Sequence, residues 1–236
     1  MKRIVVLTGA GISAESGLRT FRDSDGLWEN HRVEDVASPQ GWRRNPELVL
    51  EFYNQRRKQA KGAAPNSAHT ALAQLEDAFE VQVITQNVDN LHERAGSSRV
   101  LHLHGELFTV RSSVNESLVY NLEQINPNGW ELKLGDLCEA GFQLRPHIVW
   151  FGEMVPEIEQ AAQLCTEAEL FMVVGTSLNV YPAAGLLEYV PHGVPTFVID
   201  PHLPEVTPRP NLHLVAEKAS VGVARVAQEL RERYLG

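Results

Sequence analysis

The sequence predicts an α/β fold with a doubly wound parallel sheet and a small inserted module. Short apolar, β-branched runs recur along the chain, with the length and composition of strands buried on both faces. Segments of helical spacing separate most of these runs, and strands that alternate with helices pair in parallel. The alternation fails over residues 106–144, which are rich in Asn, Glu and Gly and only weakly periodic, so this stretch reads as the insertion. A chain of 236 residues fits one large domain, or one domain with a smaller unit set into it.

The first strand, Ile4 to Leu7, feeds directly into Thr8-Gly9-Ala10-Gly11-Ile12-Ser13-Ala14-Glu15-Ser16-Gly17. Gly9 and Gly11 permit a tight turn and close approach of a ligand to the backbone. Ser13 to Ser16 then opens a helix whose unpaired N–H groups would face a diphosphate. Gly9-x-Gly11-x-x-Ala14 fits the dinucleotide fingerprint, so the sheet is expected to be Rossmann-like. The dehydrogenase continuation is missing. Gly17 ends the helix signal, a polar loop follows from Arg22 to Trp28, and no second apolar strand occurs before Val81.

Asn45-Pro46-Glu47 reads as the N-cap, first position and acidic first turn of a helix running from Leu48 to about Ala60. Gly62 to Pro65 breaks it, and Asn66 or Ser67 caps another helix over about 68–77. Strands are expected at Val81 to Thr85 and Val100 to Leu103, around a short helical or loop segment from Asn87 to Ala95 that Gly96 closes. Beyond the irregular stretch, His147 to Phe151 reads as a strand, Ile158 to Ala168 as a helix and Leu170 to Val174 as a strand. A small-residue helix near Ala183 to Tyr189 precedes strands at Thr196 to Ile199 and Leu212 to Val215. An amphipathic helix from Ser220 to Tyr234 completes the chain. The expected organisation is one domain over 1–236. Its core is 1–30, 78–105 and 145–236, with a helical insert at 31–77 and the small module at 106–144.

Composition excludes some functions. A net charge of −9 argues against a general nucleic-acid binder. No apolar run reaches the roughly eighteen residues of a membrane span. The first strand starts too early to leave room for a signal peptide. Two cysteines, Cys138 and Cys165, make no disulfide framework, and a cytoplasmic protein is the plain expectation.

Four further strings carry chemistry. Thr85-Gln86-Asn87-Val88-Asp89-Asn90-Leu91-His92 clusters amides and a carboxylate at a strand end, where open α/β sheets bind ligands. A polar loop with Asn and Asp turn chemistry would look the same. Leu101-His102-Leu103-His104-Gly105 puts His104 beside a glycine at a strand end, and an imidazole there can act as a base near neutrality. A lone strand histidine is more often structural. Val149-Trp150-Phe151-Gly152 suggests an apolar slot or a buried edge strand. Val174-Gly175-Thr176-Ser177 is a generic phosphate or ribose loop.

The whole set, with Thr8 to Arg22, closely resembles the sirtuins, the NAD-dependent protein-lysine deacylases. The resemblance implies NAD as cofactor, held by Gly9, Ala10, Gly11, Ile12, Glu15, Thr20, Phe21, Arg22, Trp28, Gln86, Asn87, Asp89, Gly175, Thr176, Ser177, Asp200 and Ala219. His104 would be the catalytic base, assisted by Asn87, with Asp89 on the nicotinamide carboxamide. Val149, Trp150, Phe151, Gly152 and Val180 would sandwich an acyl-lysine peptide by strand pairing. The implied reaction frees the lysine and releases nicotinamide and O-acyl-ADP-ribose.

Departures from the family pattern shape the expectation. Asp200 stands where Asn is usual, and can accept but not donate as Asn does. Tyr53 and Arg56 stand at i and i+3 of a helix, which a basic solvated face would also explain. They resemble the pair in sirtuins that remove acidic acyl groups, and a guanidinium fork with a phenol suits a succinyl carboxylate. The paired Cys-x-x-Cys ligands of a structural zinc are missing, because Cys138 is the sole cysteine or histidine between Gly105 and Arg145. No metal is therefore expected. The reading is a deacetylase and desuccinylase acting on acylated lysine side chains of proteins, with no nucleic-acid or membrane partner. The alternatives are a non-catalytic NAD- or ADP-ribose-binding module and a mono-ADP-ribosyltransferase.

Overall fold

The computed structural model describes residues 1–18, 27–28 and 31–235, the last two stretches including all of the sheet beyond its first strand. In chain order these form β1 (Arg3–Thr8), α1 (Ala10–Ala14), β2 (Leu27–Trp28), β3 (His31–Arg32), α2 (Val33–Val36), α3 (Pro39–Arg44), α4 (Pro46–Gly62) and α5 (Ser67–Leu75). Next come β4 (Glu80–Thr85), α6 (Leu91–Ala95), β5 (Val100–His102), β6 (Gly105–Ser112), β7 (Val119–Asn121), α7 (Leu122–Ile125) and β8 (Leu144–Ile148). The chain ends with α8 (Ile158–Thr166), β9 (Leu170–Val174), a 3-10 helix (Ala183–Tyr189), β10 (Thr196–Ile199), β11 (Leu212–Val215) and α9 (Ala219–Leu235).

A six-stranded sheet in the order β11-β10-β9-β1-β4-β5 organises the molecule. All its pairings are parallel, as the apolar runs predict. Alternation along β1 splits its side chains between two cores. Ile4 and Val6 join Leu72, Leu75, Phe79, Val223, Val226 and Leu230 beneath α5 and α9. Val5 and Leu7 join Ile84, Ala161, Cys165, Phe171 and Val173 beneath α8 and the 3-10 helix. β1 lies between β4 and β9, so the chain leaves it in opposite directions on its two sides. Ligands bind at such a switch point, beyond the carboxyl ends of the strands.

Several local expectations are corrected. The first helix begins at Ala10, immediately after the glycine turn, rather than at Ser13. The strand expected at His147 to Phe151 is Leu144–Ile148, and its pairing partner is β6 rather than the main sheet. Residues 106–144 are not irregular throughout, since β7, β6 and β8 form an antiparallel three-stranded sheet. Asn45 does cap α4, its side chain accepting from Leu48 N at 3.1 Å, and Asn66 caps α5 in a reciprocal box with His69.

The small sheet has a core of its own. Val110, Leu122, Leu132, Cys138 and Leu144 pack together, with Leu50 of α4 entering from outside. Asn54 of α4 fastens the module further. Its Nδ2 donates to Leu132 O at 3.0 Å and its Oδ1 accepts from Leu132 N at 2.9 Å. Arg57, fully buried, donates to Leu107 O and to Asn54 Oδ1. Among the described residues no three His, Cys, Asp or Glu side chains come together to hold a metal.

Candidate active site

Two interlocked loops form the floor of the site. After β1, Gly9 N donates to Val174 O at 3.0 Å and Gly11 N to Gly175 O at 2.8 Å. A Cβ at Gly11 would lie 2.7 Å from Gly175 Cα, and Gly175 holds φ +64, so neither position tolerates a side chain without shifting the backbone. The loops after β1 and β9 therefore meet main chain to main chain. Thr176 Oγ1 accepts from Gln86 Nε2 at 3.1 Å, which joins the loop after β4 to the same floor.

The loop after β4 supplies a carboxylate and an amide. Asp89 is buried, with Ser13 Oγ donating to Oδ2 at 3.0 Å and Leu91 N to Oδ1 at 3.1 Å. Burial raises its pKa above the usual carboxylate value, and these two donors oppose the rise. Asn87 donates both amide hydrogens, to Gly9 O and to Ser13 Oγ, each at 3.1 Å. Its Oδ1 is left as an acceptor for whatever enters the cleft.

His104 lies in the turn just past β5, opposite these groups. Its Nδ1 is 3.0 Å from Gln86 O, and a carbonyl can only accept, so Nδ1 carries the hydrogen. The Nε2 lone pair is then the basic site. Burial lowers the His104 pKa, with the Gln86 bond acting against that shift, so the ring is neutral and basic at pH 7.

The far end of the cleft is built on α4. Tyr53 is fully buried, and burial pushes its pKa up to about 12, so it stays a neutral phenol. Trp150 Nε1 donates to its hydroxyl oxygen at 3.0 Å. An indole N–H only donates, which leaves the phenol's own proton for another acceptor. Trp150 is 2% exposed and the Arg145 guanidinium stacks on it at 3.4 Å from the ring centroid, so it is a fixed wall rather than an open face. Arg145 in turn pairs with Glu153 at 2.8 Å.

One cleft collects most of the predicted residues: Gly9, Ala10, Gln86, Asn87, Asp89, His104, Tyr53, Arg56, Val149, Trp150, Phe151, Gly152, Gly175, Thr176, Ser177 and Val180 all line it. Gly11 and Ile12 stand behind the floor. Glu15 lies outside the cleft and accepts from Ser220 N at 3.0 Å and Oγ at 2.6 Å, tying α1 to the start of α9 beside the buried Ala219. Asp200 is buried at the end of β10, its Oδ1 accepting from His202 N. Thr20, Phe21, Arg22 and the side chain of Trp28 fall outside the described residues. His92 is buried away from the cleft against Thr8. Ser13, Leu18, Ala37, Ala60 and Leu107 also line the cleft and were not foreseen. Ala60 follows Arg56 by four residues on one helix face, so helical spacing alone could have found it. Ala37 and Leu107 come from distant elements and carry no such signal.

The backbone donors of residues 149–151 have partners within the chain. Val149 N already donates to His104 O, Trp150 N to Glu153 and Phe151 N to Ala37 O. Three successive N–H donors are thus taken.

The donor set fits NAD by its chemistry. Amides, hydroxyls and a buried carboxylate suit ribose hydroxyls and a carboxamide, whereas the close approach that Gly9 and Gly11 permit is taken by the loop after β9 rather than left to a ligand. Fold and site together define a nucleotide-binding α/β protein with a second, partly apolar chamber attached. The Sir2 family model matches residues 9–182, and the chain belongs to that family. A protein of Bacteroides thetaiotaomicron named NAD-dependent protein deacylase is 54% identical over 230 residues, covering 98% of each chain. A solved Sir2 homologue in complex with NAD is 40% identical with TM-score 0.84, covering 98% of this chain and 90% of that one. A mutant Sir2 homologue in complex with ADP-ribose is 39% identical with TM-score 0.87, covering 98% and 93%.

Proposed function

We propose that this chain is an NAD-dependent protein-lysine deacylase that removes acetyl and succinyl groups. The observation that carries the proposal is the continuity of a single cleft from His104, Asn87 and Asp89 to Tyr53 and Arg56. When bound, NAD supplies the glycosidic bond whose cleavage releases nicotinamide, and its ADP-ribose carries the acyl group away. The start of α1 at Gly9 and Ala10 receives the diphosphate, Ile12 backs the nicotinamide pocket beside Asp89, Gln86 holds a ribose, and Gly175, Thr176 and Ser177 serve the adenosine half. Asp200 and Ala219 serve the adenosine end, and Glu15 braces it by holding Ser220 at the start of α9. Asp89 accepts from the carboxamide, and Asn87 Oδ1 orients a hydroxyl or water. His104 Nε2 takes the proton from a ribose hydroxyl. Positioning and proton transfer are the protein's share of the work.

At the acyl end, the Arg56 fork and the Tyr53 phenol proton receive a terminal carboxylate, while Leu18, Ala37, Ala60 and Leu107 pack its methylenes. Incubation with NAD and acetyl- or succinyl-lysine peptides, read by mass spectrometry, tests the proposal. Both lysines should be freed only when NAD is present. NAD binding with neither peptide deacylated would leave a binding module instead.

The same reading places the protein in the cytoplasm, consistent with two buried free cysteines, and gives it acyl-lysine proteins rather than nucleic acid as partners. No helix among the described residues is long and apolar enough to cross a membrane. It also gives the small module a zinc-free fold held by its apolar core and the Asn54 clamp. Chelation should leave the melting temperature and activity unchanged. Asn54→Ala should lower stability by about 2–3 kcal/mol in urea unfolding, because it strips partners from buried backbone groups of Leu132. A melting temperature that falls on chelation would contradict the zinc-free reading.

A further inference from the structure

We propose that His102 is a positioning residue, held as an imidazolium between Glu93 and the backbone carbonyl of Asn87, and that this clamp fixes the Asn87–Asp89 side of the cleft. The inference rests on the deacylase reading only for its effect on turnover. His102 at the end of β5 and His104 in the turn just past it each take one of two successive carbonyls. His104 takes Gln86 O, and His102 Nδ1 lies 2.9 Å from Asn87 O. The two rings differ at their other nitrogen. That of His104 carries a lone pair, whereas His102 Nε2 lies 2.8 Å from Glu93 Oε1.

A carbonyl and a carboxylate can only accept, so both nitrogens of His102 must donate, and a neutral imidazole has one N–H. The Glu93 side chain is 41% exposed and remains solvated, so the extra proton resides on the ring, which is 8% exposed. Burial alone would lower the His102 pKa, but Glu93, the Asn87 carbonyl and Glu106 outweigh it and raise the pKa above the usual value. The groups facing the ring are Glu93 and His92 from α6, Asn87 and Asp89 from the loop after β4, and Glu106 from β6. His92 is buried and held neutral, with burial lowering its pKa to about 3. The cation also opposes the burial-driven rise at Asp89, favouring the carboxylate that accepts from a ligand. Asn87 is thereby held at its carbonyl by His102, at its N–H by Thr85 Oγ1, and at its amide by Gly9 and Ser13.

Nitrogen-15 spectra of the histidine rings test the charge, and kinetics test the role. In the wild-type protein His102 should show both ring nitrogens protonated at pH 7, and Glu93→Gln should move its titration to lower pH. His102→Gln keeps one donor without the charge and should lower kcat about tenfold, with the acyl-peptide KM within about twofold. His102→Ala should lower kcat further, so that the glutamine is a partial rescue. Wild-type turnover should decline on the alkaline side as the cation is lost, and Glu93→Gln should shift that limb downward. A neutral His102 ring at pH 7, wild-type kcat in His102→Gln, or equal changes in kcat and peptide KM would each overturn the proposal. Absence of turnover in the wild-type protein would instead fail the deacylase reading. The ring spectrum and the NAD affinity of His102→Gln would then still decide the clamp.

Discussion

His104→Ala lowers deacylation by a factor of order 10²–10⁴, the range for losing a general base, while NAD affinity stays within a few-fold. The argument is the tautomer. The Gln86 carbonyl fixes the hydrogen on Nδ1 and leaves Nε2 as the basic nitrogen of the cleft. The groups proposed to bind the cofactor come from other elements, so NAD affinity should survive the truncation. The pH profile of kcat/KM carries the same claim. The base must be neutral, and burial lowers its pKa below 6.5, so the active form is complete at neutrality. Activity is lost as pH falls through that lowered value, and the acidic limb should lie below 6.5. Wild-type turnover in the variant, or an acidic limb above the ordinary histidine value, would assign the base elsewhere.

Arg56→Met impairs desuccinylation about ten- to hundredfold and leaves deacetylation within a few-fold. A charge-assisted hydrogen bond to a carboxylate contributes roughly 1.5–3 kcal/mol, which sets the range. An acetyl group presents no carboxylate and loses nothing of that kind. Methionine keeps most of the apolar stem while removing the guanidinium, which lies 5.9 Å from the centre of the Phe52 ring. The Tyr53 hydroxyl stays fixed by Trp150 in the variant, which isolates the guanidinium. Parallel rate measurements on the two peptides check this. Equal losses on both would make Arg56 a structural residue of α4.

The sheet was legible because its strands are buried on both faces, and such strands write themselves as continuous apolar runs. Ile4 to Leu7, Leu170 to Val174 and Thr196 to Ile199 needed no tertiary information. The small sheet was not legible. β6 carries a register shift between Gly105 and Val110 and buries polar Arg111 and Ser112, so its alternation is broken. The core of that module also depends on Leu50, which lies far away in sequence. Much of the site was legible as strings at strand ends, because the sheet delivers those ends to one edge. Its far chamber was only half visible. Tyr53 and Arg56 share a helix face, but Ala37, Leu107 and the buried Trp150–Tyr53 bond exist only once the insert folds over β6 and β8.

Product stoichiometry tests the central claim most directly. Purified protein is incubated with NAD and a succinyl-lysine peptide, and nicotinamide, free-lysine peptide and O-acyl-ADP-ribose are counted together. Equal amounts of all three, with no nicotinamide released when the acyl peptide is withheld, is the result this account predicts. Nicotinamide release without the acyl peptide, or ADP-ribose attached to protein in place of the acyl ester, would contradict it.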